Sequence, residues 1–279
     1  MELLKGKTLK DTLTFRGVGI HTGEVSEIKV HPSDRRGIYF YTGGVYIPAH
    51  HRFVVNTVAG TDLGRDGRVI KTVEHLMAAF YLSEVDSAVV EITKGWEIPI
   101  LDGSAKPFYE AFQSTGFVEL NHTQKVVKIT EQFEVRPNGN FALLEPYNGE
   151  LFVFEGVFPH VGRKRVVYNG KPNEALLGAR TFCRLEDIEA LKANNLGLGG
   201  TLLNTLVLDR DLTHLVYSSE PAYHKLLDFI GDIALLGARI VGKIYIFNGN
   251  HRLNHAVRDY LLKRYLLKTK KTEKVAVSV

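Results

Sequence analysis

The sequence has 279 residues, of which 44% are apolar and 24% are charged, and this composition excludes a disordered, collagenous or low-complexity chain. No apolar run approaches the roughly 18 residues that a membrane-spanning helix needs, and the single cysteine, Cys183, excludes an internal disulfide framework or a cysteine-rich zinc site. With a formal net charge of +4, the chain is expected to be a globular protein of the reducing cytoplasm.

The first part of the chain is predicted to form strands first and helices later. Alternating apolar and polar residues over TLTF and EVSEIKVH indicate strands on either side of a glycine-rich turn, GVGIHTG (17–23). GIYFYTGGVYIP indicates a hairpin that turns at Gly43-Gly44. Apolar residues at three- and four-residue intervals predict a helix over Lys71 to Leu82, and DSAVVEIT is a strand. A short helix over Lys106 to Gln113 then begins with Pro107 near its start.

The second part follows the same order of elements. KVVKITEQFEV, NFALLEP, ELFVFEGVF and RKRVVY are strand-like, and the pairs Asn138-Gly139 and Asn148-Gly149 indicate hairpin turns. Helices are predicted over Leu185 to Ala193 and over Glu220 to Leu236. The strand KIYIFNG follows, and a last amphipathic helix starts near Leu253.

This order predicts an α+β protein of two domains, residues 1–122 and 126–279, joined around Leu120–Lys125. Strands that precede helices in each part argue against an alternating parallel α/β sheet. No residue-level repeat relates the two parts of the sequence.

The end of the chain is basic. Seven Lys or Arg residues stand between Arg258 and Lys274, against Asp259 and Glu273. Such a cluster is typical of contact with nucleic acid, an anionic membrane or a phosphorylated substrate, and also of a solvated tail. Because no nucleic-acid-binding signature accompanies it, we expect a solvated tail and no nucleic-acid partner.

One predicted helix carries residues that are typical of a metal site. His224 and Asp228 form H-K-L-L-D, and an i,i+4 pair on a helix lies on one face with its Cβ atoms close together. Imidazole and carboxylate are good Zn²⁺ ligands, although such a pair by itself is more often a surface contact. Asp232 continues the stripe on a helix rich in apolar residues. Buried polar groups require partners, and a cation is one way to supply them.

The other strong helix carries Glu74-His75, in T-V-E-H-L. Adjacent helical positions point about 100 degrees apart, so one residue can ligate a metal while the other faces substrate or water. A Glu at the edge of an apolar stripe usually just faces solvent, whereas beside zinc it acts as a general base for hydrolysis. The pattern is not the H-E-x-x-H metalloprotease motif, because the order is reversed and the second His is missing.

Among the other histidines, His251 is the informative one and His21 is a weaker candidate. His251 lies in F-N-G-N-H-R-L-N, after the last predicted strand. It is either a polar turn residue or an acid that titrates near neutral pH and protonates a leaving group. His255 is expected on the exposed side of the last helix.

Several motifs run in order over nearly the whole chain: G-V-G-I-H-T-G (17–23), T-V-E-H-L (72–76), E-I-P-I-L-D-G-S-A (97–105), A-R-T-F (179–182), G-L-G-G-T (197–201), H-K-L-L-D-F-I-G-D (224–232) and N-H-R-L-N (250–254). This set resembles the bacterial UDP-3-O-acyl-N-acetylglucosamine deacetylases of lipid A synthesis, which serve lipopolysaccharide formation in Gram-negative bacteria. T-V-E-H-L together with H-K-x-x-D is the most specific part of the match.

The resemblance implies a metal-dependent hydrolase with one catalytic Zn²⁺ per chain. The residues that match the family's metal ligands are His75, His224 and Asp228. Those that match its catalytic groups are Glu74 as general base, His251 as general acid, Asp232 as the residue that orients His251, and Thr181 as a group that stabilises the oxyanion. The family fold is a two-domain sandwich, in which each domain is a sheet with packed helices and a small insert, and the active site lies between the domains.

The resemblance also implies a UDP-linked acylated glucosamine as substrate. The family places an insert near residues 184–209 that forms a hydrophobic passage for the fatty acyl group, whereas periodicity alone favours an ordinary helix packed on the core. The residues expected to contact the substrate are Lys225, Phe182, Leu185, Ile188, Gly197, Val207 and His21. We expect a monomer whose basic tail makes at most a weak peripheral contact with the inner membrane.

One segment departs from the family pattern. The final histidine of the family usually follows Gly and has a basic residue three positions before it, whereas this chain has Asn250 and Asn248 there. The charge that would anchor the diphosphate is then either lost or supplied by another residue, such as Lys243 or Arg252.

Two other functions are compatible with these residues. One is a zinc amidohydrolase that acts on another N-acetylated sugar, because pocket shape rather than ligand identity sets specificity. The other is a non-catalytic protein of the same fold that binds acyl or nucleotide ligands. Loss of a ligand or catalytic residue would have favoured the second alternative, and none is lost.

Overall fold

The structure, a computed structural model, describes residues 4–137, 139–211 and 215–267. The N-terminal half (residues 4–123) contains these elements: β1 (Lys5–Leu9), β2 (Leu13–Val18), β3 (Val25–Pro32), β4 (Gly37–Thr42), β5 (Val45–Pro48), β6 (Val54–Asn56), β7 (Asp62–Arg65), β8 (Arg68–Ile70), α1 (Glu74–Leu82), β9 (Ser87–Lys94), α2 (Lys106–Thr115) and β10 (Phe117–Thr123). A 3-10 turn spans His51–Phe53.

The C-terminal half (described from residue 126 to residue 267) contains these elements: β11 (Val126–Lys128), β12 (Phe133–Val135), β13 (Phe141–Glu145), β14 (Glu150–Phe158), β15 (Gly162–Tyr168), α3 (Glu174–Leu177), β16 (Phe182–Arg184), α4 (Ile188–Ala193), β17 (Leu206–Leu208), α5 (Glu220–Ala234), β18 (Arg239–Phe247) and α6 (His251–Leu261). A 3-10 turn, Leu185–Asp187, precedes α4, and a π-helical turn, Leu262–Leu266, follows α6.

Each half is built on a mixed sheet, and the two sheets have the same topology. The strand order is β2-β3-β9-β4-β5 in the N-terminal half and β12-β13-β18-β14-β15 in the C-terminal half. In both sheets the last strand along the chain enters the middle, antiparallel to one neighbour and parallel to the other, and in the C-terminal half β11 also pairs with β18 in parallel. The predicted α+β class with two domains is confirmed by this arrangement, while the exact domain bounds stay a prediction.

The inserts also correspond. The small sheet β6-β7-β8 lies between β5 and α1, and the unit of β16, α4 and β17 lies between β15 and α5. Each insert therefore leads directly into the helix that precedes the central strand. This placement brings both inserts close to the N-terminal ends of α1 and α5.

Helices α1 and α5 pack against each other between the two sheets. Every residue of α1 is buried, which is typical of a helix enclosed on all sides. One face of α1 joins the core of its own sheet through Leu76 and Phe80, and the other joins the core of the C-terminal half through Ala78 and Tyr81. At the crossing, a Cβ added to Gly231 would lie 2.1 Å from the carbonyl oxygen of Glu74, so this position of α5 requires glycine.

Some predicted elements differ from the observed ones. Asn148-Gly149 does not form a hairpin turn between paired strands, because β18 lies between β13 and β14. Helix α1 starts at Glu74 rather than near Lys71, since Thr72 has a φ of 57° and leaves the helical conformation. Asn138 and the basic residues beyond Leu267 lie outside the described residues. In the described part of the chain, no helix is long and apolar enough to cross a membrane.

Candidate active site

The N-terminal half and the C-terminal half each supply part of one polar cluster. His75 is in the first turn of α1, and His224 and Asp228 lie one turn apart on α5. Nε2 of His75 and Nε2 of His224 are 3.6 and 3.4 Å from Oδ1 of Asp228. All three side chains are buried, and each offers a ligand atom within 4.8 Å of the others.

Hydrogen bonds determine which nitrogen of His224 faces this cluster. Its Nδ1 is 3.1 Å from the carbonyl oxygen of Ala179, which can only accept, so Nδ1 carries the proton and Nε2 presents a lone pair. Burial lowers the pKa of His224 to about 3 and keeps the ring neutral. Burial opposes ionisation of Asp228, but the Lys225 ammonium, 2.9 Å away, helps to hold the pKa of its carboxyl well below the usual value.

This arrangement fits a cation. A lone pair of His224 directed at the ionised Asp228 is repelled, and a divalent ion between them removes the repulsion. The Nδ1 atom of His75 is buried without a hydrogen-bond partner among the described residues. Two imidazoles and one carboxylate form a donor set that is typical of Zn²⁺ and leaves a fourth coordination position open.

A second group of residues borders the same cluster. Nδ1 of His251 is 2.7 Å from Oδ2 of Asp232, which turns Nε2 toward Asp228 at 3.9 Å. Burial opposes the charged ring of His251, but the Asp232 carboxylate raises its pKa to about 9. Burial raises the pKa of Glu74 to about 7, and its Oε2 accepts the backbone N–H of Thr61 at 3.0 Å. The cluster thus contains a carboxyl that titrates near neutral pH and an imidazole that remains protonated there.

Local sequence places His251 at the beginning of α6. The side-chain oxygen of Asn250 accepts the backbone N–H of Leu253 at 3.0 Å, an N-cap that starts the helix at His251 rather than at Leu253. Asn248, at the position where the family has a basic residue, accepts the backbone N–H of Val157 at 3.0 Å through its side chain. Asn248 therefore holds the turn between β18 and α6 and supplies no charge.

The polar cluster forms part of the lining of a cavity of about 380 Å³. Two parts of its lining come from the insert of the C-terminal half and from α5. The predicted site residues that line it are His21, Glu74, His75, Thr181, Phe182, Ile188, Gly197, Val207, His224, Lys225, Asp228 and His251. Additional apolar lining comes from Ile20, Ile100, Leu191, Leu196 and Leu202. The lining of the cavity therefore combines the polar cluster with a set of apolar side chains.

Two predicted residues lie outside the lining. Asp232 is fully buried behind His251. Leu185 is 53% exposed and lies in the 3-10 turn Leu185–Asp187, before the α-helix begins at Ile188, which does line the cavity. Neither Lys243, which is paired with Glu145 at 2.6 Å, nor Arg252 lines the cavity.

His21 connects three loops at the cavity. Its Nε2 is 2.8 Å from the carbonyl oxygen of Ala59, and its Nδ1 is 3.3 Å from the backbone nitrogen of Gly197. A Cβ added to Gly199 would lie 2.2 Å from the carbonyl oxygen of Gly19, so the glycine-rich turns of the two halves meet backbone to backbone. These contacts close the insert of the C-terminal half over the N-terminal half.

Comparison with known proteins identifies the family. Residues 6–263 match the family model described as UDP-3-O-acyl N-acetylglycosamine deacetylase, LpxC. A UDP-3-O-acyl-N-acetylglucosamine deacetylase of Aquifex aeolicus (strain VF5) is 42% identical over 267 residues, which cover 94% of each chain. The enzyme of the same name from Nautilia profundicola is 34% identical over 270 residues, which cover 93% of this chain and 92% of that one. The one from Xylella fastidiosa (strain Temecula1) is 36% identical over 265 residues, which cover 89% of this chain and 87% of that one. The chain belongs to the UDP-3-O-acyl-N-acetylglucosamine deacetylase family.

The resemblance predicted from the motifs is thereby confirmed, and the protein is a deacetylase enzyme. The structure brings the predicted ligand and catalytic residues of this deacetylase together from four separate segments. Their individual roles stay predictions.

Other residues around the site were missed in the sequence. Thr61, Asn254 and His255 contact Asp232, and His255 is buried rather than exposed. Thr61 lies in a loop without a periodic pattern, so no local signal indicates it. The i,i+4 spacing of His255 from His251 places both on one face of α6. This spacing is the feature of the sequence that could have indicated that His255 lies near the site.

Proposed function

We propose that this deacetylase is zinc-dependent and hydrolyses the acetamide of UDP-3-O-acyl-N-acetylglucosamine, giving acetate and the free amine, in lipid A biosynthesis. The observation that carries the proposal is that the His75, His224 and Asp228 cluster lines the same cavity as a set of apolar side chains. The names of the related enzymes supply the substrate.

The metal would be held by His75, His224 and Asp228. When bound, Zn²⁺ polarises the amide carbonyl and lowers the pKa of a water molecule toward about 7. Lys225 donates a hydrogen bond to Oδ2 of Asp228 at 2.9 Å and would orient this ligand without binding the metal itself. The backbone carbonyl of Ala179 orients His224 in the same way.

Glu74 and His251 would move the protons of the reaction. Glu74, as the ionised base, removes a proton from the attacking water as its oxygen bonds to the acetamide carbon. Thr181 stabilises the negative charge that develops on the carbonyl oxygen. As the carbon–nitrogen bond breaks, protonated His251 gives its Nε2 proton to the departing amine, and acetate is released.

The apolar part of the cavity would hold the acyl chain. Phe182, Ile188 and Val207 line it from the insert, and Gly197 and His21 lie where the insert meets the N-terminal half. Each buried CH₂ group contributes about 0.8 kcal/mol, so a long acyl chain supplies much of the binding free energy. Lys225, whose Nζ lies 5.3 Å from the centroid of the Phe182 ring, is in a position to contact the polar part of the substrate.

Metal analysis and a deacetylation assay test the proposal together. We expect about one zinc per chain, release of acetate from UDP-3-O-acyl-N-acetylglucosamine, and much slower release from plain N-acetylglucosamine. Activity on the plain sugar that equals activity on the UDP-linked substrate would contradict the assigned substrate. Full turnover after the metal has been removed by a chelator would contradict the metal dependence.

A further inference from the structure

A buried hydrogen-bond network extends behind the active-site cluster, on the side away from the cavity. It is centred on Asp232, which has no exposed surface. Oδ2 of Asp232 accepts hydrogen bonds from His251 Nδ1 at 2.7 Å and from Asn254 Nδ2 at 2.9 Å. Oδ1 accepts the hydroxyl of Thr61 at 2.6 Å. Both oxygens of this buried carboxylate are therefore satisfied.

The network continues from Thr61 to two further residues of α6. Oγ1 of Thr61 is 3.0 Å from Nε2 of His255, and Nδ1 of His255 is 2.5 Å from Nη1 of Arg258. His255 and Arg258 are both buried, at 6% and 3% exposure. Neither residue is part of the cavity lining.

The guanidinium of Arg258 sets the direction of the hydrogen bonds that run from Arg258 through His255 and Thr61 to Asp232. Because a guanidinium only donates, Nδ1 of His255 is the acceptor and Nε2 carries the ring proton. Nε2 then donates to the Thr61 hydroxyl oxygen, and the Thr61 hydroxyl donates its proton to Asp232. Burial lowers the pKa of His255 to about 4, with Asp232 acting against this shift and Arg258 with it, so the ring is neutral.

We propose that Arg258, His255 and Thr61 form a one-directional hydrogen-bond chain that holds Asp232 and, through it, the ring of His251 in place. The three are positioning residues. Their effect on turnover rests on the role proposed above for His251. The direction of the hydrogen bonds does not depend on that role.

Thr61 has a special place in this arrangement because it contacts both proposed proton carriers. Its backbone N–H is bonded to Glu74, and its hydroxyl is bonded to Asp232. Thr61 comes from the N-terminal half, whereas Asp232 and His251 come from the C-terminal half. One residue thus fixes the general acid relative to the general base across the two halves.

Substitution of Thr61 separates these contacts. Thr61→Val has nearly the same shape and retains the backbone bond to Glu74 but loses the bond to Asp232. Loss of a hydrogen bond that orients an active-site group typically costs 10–100-fold in activity, so we expect kcat to fall about tenfold or more with little change in KM or zinc content. Thr61→Ser restores the hydroxyl and is expected to recover most of the lost kcat.

Thr8→Val is a matched control. Thr8 is a buried threonine of β1 whose hydroxyl accepts the backbone N–H of Ser33 at 2.9 Å, remote from the cavity lining. Its substitution also removes a buried hydroxyl, and it should leave kcat unchanged. If Thr8→Val and Thr61→Val lowered kcat equally, or if Thr61→Ser behaved like Thr61→Val, the positioning role would be overturned.

A spectroscopic measurement tests the chain without reference to turnover. In ¹⁵N correlation spectra of the histidine rings of the zinc-loaded protein at neutral pH, His255 should be neutral with its proton on Nε2. Thr61→Val should shift the ring resonances of His251 and His255, whereas Thr8→Val should not. A charged His255, or one with its proton on Nδ1, would overturn the assignment. If the wild-type protein released no acetate, the proposed function would fail. These spectra would still show whether the hydrogen bonds through His255 run in the proposed direction.

Discussion

The two halves of this deacetylase share one topology and differ in what they place on it. In each half a helix precedes the central strand and another follows it, α1 and α2 around β9, and α5 and α6 around β18. The N-terminal half presents Glu74 and His75 from the start of α1. The C-terminal half presents His224, Asp228 and Asp232 from three turns of α5, and His251 from the start of α6.

Helices α1 and α5 occupy equivalent places in the two halves, and where they meet each contributes different residues to the same polar cluster. Helices α1 and α5 cross where Gly231 meets the backbone of Glu74, so the first turn of α1 lies beside the polar stripe of α5. Neither half holds all three of the proposed ligands His75, His224 and Asp228. A single metal ion would join the halves at this crossing, which makes the proposed metal site also a contact between them.

The strongest test of this complementarity removes one ligand at a time. His75→Ala, from the N-terminal half, should abolish tight zinc binding and lower activity by about 100-fold or more, as should His224→Ala or Asp228→Ala from the C-terminal half. Zinc content and acetate release measure both effects, and circular dichroism should show an intact fold. Stoichiometric zinc in all three variants would refute the assigned site.

The proposed acid and base also come from different halves, and the pH dependence separates them. The proposed mechanism needs ionised Glu74, so kcat/KM should rise as pH rises through the pKa of Glu74, which burial holds near 7. It also needs protonated His251, so kcat/KM should fall as pH passes its pKa, which Asp232 raises to about 9 against the effect of burial.

Substitution of either residue should cost roughly 100-fold or more and remove one side of the profile. Glu74→Ala should remove the acidic limb, and His251→Ala the basic limb. Asp232→Asn should move the basic limb to lower pH, because the charged ring loses its carboxylate partner. A bell-shaped profile that is the same in both alanine variants would assign the two roles to other groups.

The helix crossing itself can be disturbed at Gly231. Gly231→Ala would place a methyl group against the Glu74 carbonyl oxygen and force α1 and α5 apart. Overpacking of this kind costs about 1–3 kcal/mol of unfolding free energy. Urea denaturation measures the loss, and weaker zinc binding should accompany it. Unchanged stability and zinc affinity would show that the crossing tolerates a wider separation.

The two inserts provide the mildest comparison. Ile188→Asp or Val207→Asp, in the insert of the C-terminal half, should raise KM for a long-chain substrate about tenfold and change KM for a short-chain analogue much less. Val55→Asp, at an exposed position of β6 in the other insert, serves as the control and should change neither. Equal losses for the long and the short substrate would make the insert near 184–209 structural.

Local patterns in the sequence determined the helices and the chemistry that they carry. Helix α5 spans Glu220–Ala234, within the predicted 220–236, because its apolar stripe has a clear helical period. The same period puts His224 and Asp228 on one face, and the motifs around them were sufficient to predict the family.

Only the tertiary structure decided which segments meet. Strand β18 enters between β13 and β14, which no local turn signal could indicate, since strand pairing depends on contacts that are distant in sequence. Leu185 has helical spacing to Ile188, yet it is exposed in a 3-10 turn before α4, whereas Ile188 lines the cavity. Thr61 has no motif of its own, and it reaches Asp232 only because the N-terminal insert packs beside α5, 171 residues further along the chain. Periodicity reports the environment along one element, whereas the partners of a buried polar group depend on how all the elements pack.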